Sequence, residues 1–181
     1  MTHAIMIPSA VAAANVDSYN RSAKGSADLD NGWLVSLTAL TGTSGEGEVW
    51  TAAQPASGAT LTNLYMVGDP EIVLTDSKYK NIDPNPLNFY TPSGKVFSAF
   101  KLQIGDIVKL SADALGTGTG AASAFAVATN GSYKAVWAAA AVSGVSLRYL
   151  ATDYVSLPLT GAIGETQRSV AMYKFEVAAI A

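Results

Sequence analysis

The chain has 181 residues, which fits one domain of ordinary size or one domain with an arm. Only 14% of them are charged, where about a quarter is usual, and the difference is made up by Ala, Ser, Thr and Gly rather than by large apolar residues. A net charge of −3 with 11 scattered basic residues argues against a nucleic-acid partner, and without cysteine neither a disulfide framework nor a thiolate metal site can form.

The first stretch, MTHAIMIPSAVAAANV, carries small residues near its end. No Lys or Arg precedes its apolar part and Pro8 interrupts it, so a cleaved signal is not expected. No apolar run reaches the roughly 18 residues of a membrane helix. Residues 1–28 read as an extended arm. AIMIPSAVAAA is apolar enough to lie across a neighbouring subunit, while NVDSYNRSAKGSAD has no clear periodicity and cannot build a core. A disordered tail fits the same residues. Residues 29–181 read as a single β domain.

Structure is expected from DLDNGWLVSLTALTG onward. Asn31-Gly32 suits a turn, after which Trp33, Val35, Leu37 and Ala39 alternate with Leu34, Ser36, Thr38 and Leu40. EVWTAA, centred on Trp50, is a second strand and TLTNLYMVG a third, with TGTSGEGE and AQPASGAT as loops between. Residues 68–93 hold four of the seven prolines. Pro70, Pro84, Pro86 and Pro92 each remove a ladder donor and restrain the preceding residue. The segment reads as a short strand, EIVLT, followed by one long Pro-rich loop, and loops of that length are usually functional or tied down by a partner.

GKVFSAFKLQIGDIVKLSADALG reads as a hairpin about Gly105-Asp106, with Val96, Ser98, Phe100 and Leu102 on one face and Phe97, Ala99, Lys101 and Gln103 on the other. Ser111 is placed to cap a single helical turn, SADAL, which Gly116 would end. GTGTGAAS is a spacer and AFAVAT a strand. YKAVWAAAAV is read as a strand because turn signals flank it, although alanine favours helix. VSLRYLA and MYKFEVAAIA are two more strands, joined by TDYVSLPLTGAIGETQR. The whole is all-β, a β-sandwich or β-barrel of about eight to ten short strands with an N-terminal arm and one long Pro-rich loop.

Little of the sequence points to catalysis, and an enzyme is not expected. His3 is the one histidine and falls in the arm. GTGTG lacks the Lys-Ser/Thr of a phosphate loop. Asp69 with Glu71, or Asp76 with Asp83, has the composition of a carboxylate pair, but Asp and Asn beside Pro are more often turn formers. No calcium-loop spacing is present, and no cofactor or metal is expected. Trp33 and Trp50 alternate as core residues do, and Trp137 sits among alanines.

The order of segments LDNGWLVSL, GEVWTAAQPASG, NLYMVGDPEIVLTD, GKVFSAFKLQIGDIVKLSADALG and a closing YKFEV resembles capsid decoration, or cement, proteins of tailed bacteriophages. The similarity covers residues 29–116 and the last ten, as a pattern rather than a signature motif. It implies a non-enzymatic virion protein on the outside of an icosahedral shell, made in the host cytoplasm. Its partners would be the major capsid protein and copies of itself, with a trimer among the possible assemblies and no membrane or nucleic-acid contact. On this reading Ile5, Met6, Ile7, Val11 and Tyr19 of the arm, with Tyr79, Ile82, Leu87, Phe89 and Tyr90 of the loop, make the contact. The alternatives are another head or tail component, or a carbohydrate-binding or adhesive module with Tyr65, Tyr79, Tyr90 and Trp137 in an exposed row.

Overall fold

The computed structural model describes residues 3–70, 85–117, 124–158 and 167–180. Their regular elements are strands joined by three single 3₁₀ turns. In chain order the strands are β1 (Met6–Ala10), β2 (Asn20–Lys24), β3 (Leu34–Leu40), β4 (Val49–Ala53), β5 (Leu64–Val67) and β6 (Val96–Lys101). They continue as β7 (Ile107–Ser111), β8 (Leu115–Gly116), β9 (Phe125–Val127), β10 (Ala135–Ala138), β11 (Gly144–Pro158) and β12 (Gln167–Ile180). The chain is therefore all-β, and it forms two sheets. β2, β4, β3, β5 and β6 close into a barrel, and β1, β7, β12, β11, β9, β10 and β8 make a seven-stranded sheet. EIVLT, the first part of the Pro-rich loop and most of the GTGTGAAS spacer lie outside the described residues.

β5 buries both of its faces, and β3 and β6 do so over part of their length, which explains how two sheets share one chain. Side chains alternate across a strand. In β5, Tyr65 and Val67 point into the barrel with Val35, Leu37, Phe97 and Ala99. Leu64 and Met66 point outward and join Leu34 and Phe100 in a second core, completed by Val108, Leu110, Leu147 and Phe175 of the larger sheet. The barrel thus presents part of its outer wall as the floor of the sheet. Trp33 packs against both clusters and stacks on Tyr133 at 6.0 Å between centroids.

Three expectations change. The first is the hairpin about Gly105-Asp106: β6 and β7 are not partners. β6 pairs with β2 and β5 in the barrel, whereas β7 pairs with β1 and β12 in the larger sheet. Both edges of β6 are occupied, so β7 has to pair elsewhere. The corner itself is built as a turn, with Gly105 at φ +89°, a conformation glycine adopts without a Cβ penalty. Asp106, 4% exposed, fixes it by accepting from the Gln103 N–H at 2.8 Å and from the Ala12 N–H at 2.9 Å. Two further bonds, Gly105 N–H to the Val177 carbonyl and Val177 N–H to the Asp106 carbonyl, tie the corner to β12.

Second, residues 3–28 are not a free arm. β1 is the edge strand beside β7, and β2 closes the barrel between β4 and β6. The polar stretch lacks periodicity of its own because it borrows cores made by distant residues: Ala13 is buried in the shared core and Ala23 inside the barrel. Third, the described residues of the connection TDYVSLPLTGAIGETQR, 152–158 and 167–168, are strand. β11 and β12 are 15 and 14 residues long and pair from Gly144↔Ile180 to Pro158↔Gln167, with one bulge at Leu150. The strands are not all short.

Smaller expectations at SADALG also shift. Ala112–Ala114 form a 3₁₀ turn, but the Ser111 hydroxyl does not cap it. That oxygen accepts from the Ile5 N–H at 2.9 Å instead, and Gly116 continues as strand in β8. YKAVWAAAAV does contain a strand, β10.

Candidate partner-contact surface

The far end of the β11–β12 hairpin runs beyond the sheet that carries it. β9 pairs with β11 only at Ser146–Arg148, and β7 pairs with β12 only at Met172–Glu176. Past those registers, Tyr154–Pro158 and Gln167–Ala171 pair only with each other among the described residues. At about 3.3 Å per residue, five residues of overhang reach roughly 16 Å. One face of it packs down: Val155, Leu157 and Val170 lie against Ile5, Leu87 and Met172. An ion pair between Lys109 and Asp153 fastens the base of the overhang to β7, and Arg148 reaches across to Glu176 nearer the body.

The other face is free and nearly without charge. Thr152, Tyr154 and Ser156 alternate along β11, paired with Tyr173, Ala171 and Ser169, and Tyr154 is 69% exposed. Ser, Thr and Ala lose little rotamer entropy on contact. Tyrosine supplies broad contact area with a polar tip, which suits the centre of an interface. Among the described residues the two outer strand edges also keep unpaired backbone donors and acceptors, the groups through which another chain adds a strand.

Of the ten residues expected to make contact, the structure turns four inward: Ile5, Met6, Leu87 and Phe89 are buried. Ile7, Val11, Tyr19 and Tyr90 are half-buried, and Tyr79 and Ile82 lie outside the described residues. Arm and loop do meet, but within the protein's own body. Ile5 and Leu87 share one cluster, and the His3 N–H donates to the Leu87 carbonyl at 2.8 Å. His3 stacks on Tyr90 at 4.7 Å and donates from Nδ1 to Asp30 Oδ1 at 2.8 Å. Leu29 bridges to Thr91, whose hydroxyl donates to Asp69 Oδ2, and the Asn31 side chain grips the Asp69 backbone through both its N–H and its carbonyl. Burial raises the Asp69 carboxyl above its ordinary value, against the pull of Thr91 and Ser98.

The row of aromatics expected for a sugar platform is not assembled. Tyr65 is inside the barrel, and Trp137 is engaged by Tyr149, Tyr173 and Phe175. The signal for the overhang was present in the sequence as the alternation of Tyr154, Val155, Ser156 and Leu157, within a segment read as a connection. Among the described residues no three His, Asp or Glu gather as a metal site, and no helix is long and apolar enough to cross a membrane. Comparison with protein-family models, with curated proteins and with solved structures gives no match for this chain.

Proposed function

We propose that this chain is a non-enzymatic structural component of a bacteriophage virion, binding the outside of the capsid and reinforcing contacts between major capsid protein subunits. The observation that carries this reading is the overhanging hairpin with its uncharged face of Thr152, Tyr154, Ser156, Ser169 and Ala171. The sequence resemblance to decoration proteins supplies the class of partner. A projecting ladder of small residues binds at low entropic cost, and a shell offers many equivalent seams, so weak single contacts add through avidity where copies or subsites are linked. The contact element in this reading is the hairpin rather than residues 1–28.

The test is sedimentation of the purified protein with shells assembled from the major capsid protein of the same genome. Saturable binding at a fixed ratio to capsid subunits is the expected outcome. Protein that stays at the top of the gradient at every concentration overturns the reading. A Tyr154→Arg, Ser156→Arg variant places two charges on the free face. It is expected to lose binding while its stability stays within about 0.5 kcal/mol of the parent, as exposed substitutions generally do. Undiminished binding by that variant removes the hairpin from the account.

A further inference from the structure

A second concave feature lies at the mouth of the barrel, away from the hairpin. It is a cavity of about 440 Å³ walled by Trp50 and Leu40, with Asp17, Asn20, Arg21 and Glu48 around its rim. The volume falls within the roughly 300–1,000 Å³ of small-molecule sites. A β-bulge makes the apolar wall. Leu37 opposes Ala52, but the next registered pair is Leu40 with Trp50, so β3 carries one extra residue there. That residue switches the face on which Leu40, 49% exposed, emerges and sets it beside the half-buried Trp50. Among the described residues no other ring or cation packs on the Trp50 indole.

The polar rim is held in place yet unspent. The Arg21 guanidinium is braced through Nη1, which donates to the Ser18 carbonyl at 2.7 Å and the Asn20 carbonyl at 3.0 Å. Of the five N–H groups a guanidinium carries, those on Nη2 and Nε have no partner among the described residues. The loop that presents Glu48 is ordered by Glu46, which accepts from Lys24 at 2.9 Å and from the Thr41 hydroxyl at 3.3 Å. The Asp17 and Glu48 carboxylates pair with neither Arg21 nor any other cation among the described residues. Two free acceptors and a set of free donors therefore share the cavity with Trp50, which is half-buried and packs on the barrel core.

We infer that this cavity is a binding site for a neutral pyranose sugar, seated with a C–H face on Trp50 and its hydroxyls on Arg21, Asp17 and Glu48. The charge pattern selects the class. An anion would meet Arg21 but be repelled by two carboxylates, and a cation, though drawn by the carboxylates, would leave the Arg21 donors unused. A hydroxyl is both donor and acceptor and satisfies both kinds of group. The apolar wall matches the C–H face of the ring, as amphipathic ligands require of a site with few polar groups. The site is independent of capsid binding and would let a shell-borne protein hold glycan at the same time.

Saturation-transfer NMR on the full chain tests it, with the methyl glycosides of glucose, galactose, mannose and N-acetylglucosamine as probes. At least one is expected to bind with a Kd of order 1 mM, with transfer strongest on the protons of one ring face. Glu48→Gln, at an exposed position, removes a charged acceptor without disturbing the fold and should weaken that binding roughly tenfold. Trp50→Leu should abolish the one-faced transfer pattern. No transfer from any glycoside overturns the inference, as does an unchanged Kd in Glu48→Gln. Tighter binding of inorganic phosphate or methylammonium at the same residues overturns the neutral class.

Discussion

Gly144 opens β11 with φ +100°, and a Cβ there would sit 2.6 Å from the Gly58 carbonyl oxygen and 2.7 Å from that of Ala59. Both obstacles are backbone, so neither can swing aside, and the neighbouring Val145 N–H already bonds the Ala59 carbonyl at 3.0 Å. Gly144→Ala is expected to cost about 2–4 kcal/mol through strain and clash, read as a shift in urea midpoint. Acid titration gives a second test at this scale. Hydrogen bonding from Lys24 holds the Glu46 carboxyl below its ordinary 4.5, and Lys109 holds Asp153 below 3.8. A lowered carboxyl stabilises the fold above its unfolded value and loses that contribution as pH falls through its folded one. Asp69 runs the other way: burial raises it above 3.8, so its cost is greatest at neutral pH and disappears on acidification. Glu46→Gln with Asp153→Asn should therefore flatten the loss of stability between about pH 5 and pH 3, and Asp69→Asn should steepen it, both measured by urea unfolding across that range. Local chemistry of this kind is partly legible in sequence. Asn31-Gly32 does form its turn, with the Gly32 N–H on the Val67 carbonyl. The Ser111 cap fails because its hydroxyl is claimed by Ile5, 106 positions away, which no local pattern reports.

At the scale of elements, periodicity located most strands, and pairing was what it could not supply. β6 and β7 have the alternation and the turn of a hairpin, yet each was already committed to a different sheet. β1 and β2 were invisible for the complementary reason: MIPSA is short and interrupted by Pro8, NRSAK is short and polar, and they become strands because β7 and β6 offer them edges. The candidate contact surface was missed because β11 and β12 were cut at the first turn-like residues, whereas the ladder continues to Pro158↔Gln167. Two expectations belong here. Removing residues 1–16 deletes β1 together with Ile5, 3% exposed, and Met6, each worth about 1.5–3 kcal/mol when buried. The truncated protein should lose about 3–6 kcal/mol in urea unfolding rather than keep its stability, as detachment of a free arm would allow. In the hairpin, amides of Ala151–Leu157 that point away from β12 have no strand to bond among the described residues, so hydrogen exchange there should be faster than over Ser146–Arg148, where β9 lies alongside.

The whole molecule is two sheets with one core between them, because β3, β5 and β6 are lined on both faces. This coupling makes the barrel and the seven-stranded sheet a single cooperative unit. Met66 is fully buried on a barrel strand yet belongs to the shared core. Met66→Ala should cost about 2–5 kcal/mol, and single-tryptophan variants retaining Trp50 in the barrel or Trp137 in the sheet should report one common midpoint. Separate transitions would show two independent bodies.

The position of β7 has a consequence for synthesis. It is flanked by β1, which is translated before it, and by β12, which is translated after it. While the chain is still on the ribosome, Val108 and Leu110 wait with one hydrogen-bonding edge open and no partner yet made to close it. A message that terminates before Gln167 would leave that edge permanently bare, and such fragments should collect in inclusion bodies by pairing with one another.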